Sequence, residues 1–232
     1  NKREINRLLE ERMIYGMYPE IVIDGGKPKF KLKELATSYL YKDILKFDNI
    51  KNSEAIEKLL QALALQVGSE VSYNELSNMV GIDKNTVSSY IQILEKAFIV
   101  FRLRPFSRNL RNELKKLRKI YFCDLGLRNA LINNLNPVGL RQDTGALWEN
   151  FMISERIKNN NNHQKEKNVY FWRTQEKQEI DYLEEEGGRI SAFEFKWTKR
   201  KNKTPKLFLK TYPSSTFKFI NRDDYADFAG ID

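Results

Sequence analysis

Ile5, Leu8, Leu9 and Met13 recur at helical spacing through an otherwise charged opening, and they predict a helix over residues 2–14 that stops near Gly16. A turn is expected at Pro19, within YGMYPEIVID. Residues 32–45, LKELATSYLYKDIL, take up the helical period again with Leu35, Tyr39, Leu40 and Ile44. Past the linker FDNIKN, residues 53–67 (SEAIEKLLQALALQV) read as a third helix, with Ser53 in the N-cap position and Gly68 closing it. Ser72 then caps a short helix over 73–79, with Glu75 three residues on as a capping-box partner. GID makes a tight turn. Asp83 or Asn85 caps a longer helix ending near Ala97. Its apolar Val87, Ile91 and Leu94 face inward, which leaves Lys84, Asn85, Thr86, Ser88 and Ser89 outside.

FIVFRLRPF and KIYFCD then read as two strands joined by a basic connection. Three helices followed by a two-stranded wing make a winged helix-turn-helix domain. Such domains commonly lay the second helix of the pair in the major groove of DNA. A packing or dimerisation module would give the same pattern, so both uses stay open. Residues 125–133 predict a short helix, NNLNPVGLRQ a turn-rich boundary, and GALWENFMISERIKNN a helix capped by Asp143 or Thr144. The Asn-rich stretch up to Asn168 reads as a surface loop. VYFWRT is a strand built on Val169, Tyr170, Phe171 and Trp172. The last segment, LFLKTYPSSTFKFINRDDYADFAG, reads as helix, turn, strand and short helix. No internal repeat is present.

Between these elements lies QEIDYLEEEGGRISAFEFKW, a hairpin with Gly187-Gly188 as its two-residue turn. If Glu186 pairs with Arg189, Asp181 faces Glu194. Alternation then sets Glu194 and Lys196 on the face of Asp181, with Phe193, Phe195, Trp197, Ile180 and Tyr182 on the other. Opposed carboxylates repel, and a divalent oxygen-seeking cation relieves that repulsion. Such a cation polarises a phosphoryl group and activates water, and Lys196 would stabilise the developing charge. The plain alternative is a solvated polar face on which Lys196 screens Glu194. Trp172 is expected in the core. Arg173 meets either a phosphate or an acid such as Glu179. Gln178 is expected to face solvent.

Composition narrows the chemistry. The one cysteine, Cys123, excludes an internal disulfide and a cysteine-based zinc site, and its rarity fits a reducing cytoplasm. The one histidine, His163, lies in NNNNHQKEK and offers little to a nucleophilic triad. No apolar run reaches membrane-spanning length. The net charge of +9 admits a polyanionic partner. Its distribution is sharper: residues 96–119 hold nine Lys and Arg (among them Arg102, Arg104, Arg108 and Arg111) against the single acid Glu113. KWTKRKNKTPK is a second basic run. The opening, charged and without an initiator Met, reads as the continuation of a longer protein.

LWENF on a helix, the strand VYFWRT, EIDYL in a hairpin and then EFK together resemble the restriction-endonuclease-like PD-(D/E)XK fold. The resemblance implies that Glu149, Asp181 and Glu194 hold Mg²⁺ or Mn²⁺, with Lys196 as the fourth catalytic residue; Ile180 stands where the pattern has Pro. Across nearly the whole chain, GMYPEIV, YLYKDIL, KIYFCDLGLRNAL, GALWENF, FWRTQEKQEIDYL and AFEFKW resemble the C-terminal region, a domain of unknown function, of predicted archaeal and bacterial AAA-type ATPases. In that family an ATPase module precedes this region. This chain carries no G-x-x-x-x-G-K-[ST], so ATP would enter only through that module.

The fold expected is mixed α/β: residues 1–50 a helical remnant or linker, 51–140 the winged helix, and 141–232 a nuclease-like domain with a central mixed sheet. The expected function is a cytoplasmic, DNA-associated ATPase module with a Mg²⁺-dependent phosphodiesterase-type site. DNA contacts are expected from Lys84, Asn85, Thr86, Ser88, Arg102, Arg104, Arg108 and Arg111. The partners are then DNA, the ATPase module and a second copy of the chain, with no membrane. The alternative is a non-catalytic binding or oligomerisation module on the same fold.

Overall fold

A computed structural model of the chain describes residues 2–23, 28–39, 52–107, 118–174, 176, 178–199 and 203–230. It is mixed α/β, and it divides into two compact units. The first comprises Asn1–Arg102 with Lys119–Asn150, and the second Leu103–Arg118 with Phe151–Asp232. Among the described residues no helix is long and apolar enough to cross a membrane.

The first unit opens with helices α1 (Lys2–Tyr15), α2 (Pro19–Ile23) and α3 (Pro28–Tyr39). Pro19 begins a helix here where the sequence suggested only a turn. Proline suits the first helical position because its missing N–H would have no partner there. The end expected for α3 lies beyond the described residues. Next come α4 (Ser53–Leu65), β1 (Glu70–Val71), α5 (Tyr73–Val80), α6 (Lys84–Lys96), the start of β2 (Val100–Pro105), β3 (Arg118–Phe122) and α7 (Leu125–Leu131). The strands are ordered β1-β3-β2. Asn52, not Ser53, is the N-cap of α4: its side chain accepts from the Ala55 amide at 3.0 Å. The core joins Leu59, Leu60 and Leu63 of α4, Leu76 of α5 and Val87, Ile91 and Leu94 of α6, all buried. The helical period had assigned those last three to the core.

Helix α7 anchors the end of α1. The α1 helix ends at Tyr15, and its last carbonyls need donors. Asn129 Nδ2 supplies them, donating to the Met13 oxygen at 3.0 Å and the Ile14 oxygen at 2.9 Å. Asp124, the N-cap of α7, accepts from the Leu127 amide at 3.0 Å and from the Met17 amide at 2.6 Å. Two glycines make the approach possible. A Cβ on Gly16, whose φ is +80°, would lie 2.1 Å from Asp124 Oδ1, and one on Gly126 would lie 2.1 Å from the Tyr15 oxygen.

Helix α8 (Thr144–Asn162) begins in the first unit and passes into the second. It runs two residues past the predicted end at Asn160, taking in Asn161 and Asn162 of the stretch that the sequence suggested as a surface loop. Asn159 and Asn160 are buried, and Asn159 donates to the Ala229 oxygen at 3.1 Å, so tertiary partners offset the poor helix propensity of asparagine. In the second unit the order is β2-β4-β5-β6-β7, with β4 (Asn168–Arg173), β5 (Glu179–Glu186), β6 (Arg189–Phe195) and β7 (Thr216–Ile220). Strand β4 is antiparallel to β5, and β5 to β6. Pairs β2/β4 and β6/β7 are parallel, so the sheet is mixed. Helix α9 (Lys206–Thr211) covers one face, where Phe208 and the adjacent Tyr212 pack with Trp172, Ile180, Leu183 and Ala192. On the other face Phe228 of α10 (Tyr225–Ala229) meets Tyr182, Phe193 and Phe195.

Candidate functional site

In the first unit, α5 and α6 meet across a turn that its own side chains fix. Ser72 Oγ accepts from the Glu75 amide at 3.4 Å and starts α5. Gly81, with φ 77°, closes it in the left-handed region and donates to the Ser77 oxygen at 2.9 Å. Ser77 Oγ donates onward to the Ile82 oxygen at 2.6 Å. Asp83, of the two caps the sequence allowed, starts α6: its Oδ1 accepts from the amides of Asn85 at 2.9 Å and Thr86 at 3.0 Å, and its Oδ2 from the Thr86 hydroxyl. These bonds, those of Thr86 foremost, hold the Asp83 carboxyl below its ordinary pKa. Lys84 and Asn85 are left exposed, and Thr86 and Ser88 half-buried.

The arginines expected at this interface differ in their freedom. Arg102 is held by both carboxylate oxygens of Glu95, with Nε to Oε1 at 2.6 Å, and by the Tyr73 hydroxyl at 3.2 Å. Its charge is therefore spent inside the unit. Arg104, in the second unit, is exposed. Arg108 and Arg111 lie outside the described residues.

The carboxylates sit as follows. In the hairpin, Glu186 pairs with Arg189 and Tyr182 with Phe193, the register that the Gly-Gly turn predicts. On its other edge β5 carries a bulge. Tyr170 pairs with Leu183 but Trp172 with Ile180, so Asp181 and Tyr182 together oppose Phe171. Strict alternation fails at that point. Ile180 joins Leu183 and Ala192 in the core against α9, whereas Tyr182 packs on the opposite face, which corrects the shared face expected of Ile180 and Tyr182. A bulge re-aims the side chains it contains. Asp181 Oδ2 accepts from the Phe195 amide at 2.8 Å. Glu194 pairs with Lys196 at 2.8 Å, both partly exposed, as the screening alternative anticipates.

Glu149, in the first unit, accepts from Lys119 Nζ at 3.0 Å and the Tyr121 hydroxyl at 2.6 Å, both on one oxygen. Lys119 and Tyr121 are almost fully buried, so this is an internal ion pair. Among the described residues, no group of three or more His, Cys, Asp or Glu side chains could hold a metal ion. Of the neighbouring residues, Trp172 is in the core, Arg173 lies 3.5 Å from Glu179, and Gln178 is exposed.

A strongly perturbed carboxyl in the second unit is one the sequence reading passed over. Glu184 is 3% exposed and is gripped by Arg156, with Nε to Oε1 at 2.6 Å and Nη2 to Oε2 at 2.9 Å. Lys167 and Asn160 each add a bond at 2.8 Å. Burial alone would raise this carboxyl; the bonds from Arg156, Lys167 and Asn160 outweigh it and bring the pKa down to about 2. Its signal was the strand period. Glu184 shares the face of Tyr182, but EEE before a Gly-Gly turn looks like solvent-facing charge. In the first unit a similar knot joins Arg128 and Arg141 to Asp143.

Comparison with known proteins adds family and length. Residues 144–221 match a second domain of unknown function, DUF4143. An uncharacterized protein of Mycobacterium tuberculosis, Rv2008c, is 27% identical over 164 residues, covering 70% of this chain and 36% of that protein. An uncharacterized protein of Haemophilus influenzae is 26% identical over 136 residues, covering 56% of this chain and 34% of its own length. MJ1544 of Methanocaldococcus jannaschii, also uncharacterized, is 24% identical over 161 residues, covering 66% and 34%. The chain thus spans about a third of the length of these relatives. No solved structure matches it. A domain of unknown function, DUF8612, matches residues 6–138, more than half of the sequence, and the chain belongs to that family.

Proposed function

We propose that the chain is a DNA-associated module of an AAA-type ATPase, in which the first unit acts as a winged helix that grips duplex DNA by its backbone. One observation carries this reading: α6 begins at a side-chain-fixed turn, with Lys84 and Asn85 exposed at its capped start. The series α4, α5, α6 and the strands β2 and β3 matches the element order of a winged helix. Lysine neutralises phosphate, and Lys84 stands exposed at this helix start. The ATPase reading is supported by the family resemblance of the motifs and by relatives about twice as long. ATP would bind outside this chain.

The test is fluorescence anisotropy of the full chain with a labelled duplex at rising salt. The logarithm of the binding constant should fall linearly with that of salt, and Lys84→Glu should weaken binding on every sequence alike. Binding absent at low salt, or insensitive to salt, overturns the reading.

A second reading gives the second unit a Mg²⁺-dependent phosphodiesterase site. The bulge at Asp181, beside the partly exposed Glu194 and Lys196, favours it. Against it, Glu149 spends its charge on Lys119, Glu194 spends its own on Lys196, and the described residues offer no three-carboxylate donor set. These engagements favour the non-catalytic alternative over the nuclease reading. Calorimetric titration with Mn²⁺ decides between them: heat that disappears in Asp181→Asn would restore the nuclease reading, and no heat in the unaltered chain would end it.

A further inference from the structure

The exposed face of α6 has an ordered chemistry. Asn85, Ser89, Gln92 and Lys96 follow one another at intervals of four, three and four residues, which is one stripe of a helix, and all four are exposed. The opposite stripe, Val87, Ile91 and Leu94, is wholly buried. No arginine stands on the exposed stripe. Arg102, the first arginine after the helix in sequence, has its guanidinium occupied by Glu95 and Tyr73. The acid of this helix, Glu95, is consumed by the same pair. The stripe therefore offers two carboxamides, a hydroxyl and a terminal lysine, without the fork that reads guanine.

Given the winged-helix reading, on which this rests, we infer that α6 selects adenine-containing duplexes through the major groove. A carboxamide pairs in bidentate fashion with adenine N6 and N7, whereas guanine O6 and N7 call for two donors, as arginine or lysine provides, and the lysines here lie outside the span from Asn85 to Gln92. Asn85 and Gln92 are two helical turns apart, a rise of about 10 Å. That is roughly three base-pair steps at about 3.4 Å each. Lys84 and Lys96 flank the two carboxamides and neutralise phosphates at either end. The preference belongs to A·T pairs at two positions, set by hydrogen bonding and not by charge.

The experiment compares binding of the full chain to three duplexes of equal length at one salt concentration. One contains only A·T pairs, one only G·C pairs, and the third replaces adenine with 7-deazaadenine. The last loses the N7 acceptor in the major groove and leaves the minor groove as it was. Binding to the A·T duplex should be about tenfold tighter than to the G·C duplex. The 7-deazaadenine duplex should fall to the G·C level, and Asn85→Ala or Gln92→Ala should each narrow the gap. Both positions are exposed and polar, so the variants should keep the circular dichroism of the parent. Salt-dependent binding of equal strength to all three duplexes overturns the adenine preference and leaves the DNA reading standing. A preference that survives both substitutions also overturns it. Binding to none of the three overturns both readings together.

Discussion

Gly16 has no room for a side chain. Its φ of +80° is one that L-residues rarely adopt, and a Cβ would collide with a carboxylate already committed to two amides. Gly16→Ala should destabilise the first unit by at least about 2 kcal/mol, measured by urea denaturation. Phe98 presents the opposite case. It is 77% exposed with φ 54°, so it bears the left-handed strain and gains little burial. Phe98→Gly should stabilise by about 1 kcal/mol, and a lower denaturation midpoint would show that the ring has a partner on the folded surface. Glu184 carries a pH dependence. Its folded pKa of about 2 lies below the ordinary value of 4.5. Its contribution is thus complete above pH 4.5 and is lost as pH falls through about 2. The span corresponds to about 3 kcal/mol. The midpoint of the second unit should fall across that window, and Glu184→Gln should flatten the fall while lowering stability at pH 7.

At the scale of elements, the β5–β6 turn explains how much the sequence disclosed. Gly187 and Gly188 have φ of 56° and 80°, the pair a two-residue turn of this hand requires, and from them the register followed by counting. Gly187→Asn should therefore leave the melting temperature nearly unchanged, while Gly187→Val should cost about 1 kcal/mol. The bulge at Asp181 was not legible, because the extra residue is defined by β4, a different strand. Counting along one hairpin fixes one edge of β5 and says nothing about the other. The helices divide in the same way. Local signals specified α5 and α6, with Ser72, Gly81 and Asp83 at their ends. The end of α8 is held by bonds from Asn159 to Ala229 and from Asn160 to Glu184, which no local pattern reveals. For the carboxylates, spacing gave the hairpin register as far as Tyr182 and Phe193. The engagement of Glu149 by Lys119 and Tyr121 comes from residues about thirty positions earlier, beyond the reach of periodicity.

At the scale of the molecule, the two units are not consecutive in sequence. Strand β2 contributes Arg104 and Pro105 to pairing with β4, and Phe106 packs edge-on against Tyr170 and Tyr212 within the second unit. A fragment made of residues 141–232 alone leaves that edge of β4 open and removes an aromatic ring from the core. It should melt at lower temperature and aggregate more readily than the full chain. A fragment as stable and soluble as the parent would mean that β2 contributes nothing to this unit. The charge excess follows a similar logic. Its most basic segment, residues 96–119, includes Arg102 and Lys119, which are consumed by Glu95 and Glu149. The nine Lys and Arg of that segment thus overstate what a polyanion would meet there.

The junction between α1 and α7 also sets an order of events. Met17 and Asp124 are 107 residues apart, and Met13 and Asn129 are 116 apart. During synthesis α1 leaves the ribosome well before α7, and the donors for its final carbonyls emerge only after more than a hundred further residues. A helix made early in this unit is finished late. Until then it carries open carbonyls and a glycine free to take other conformations, and the closing of so long a loop sets the pace of folding in the first unit.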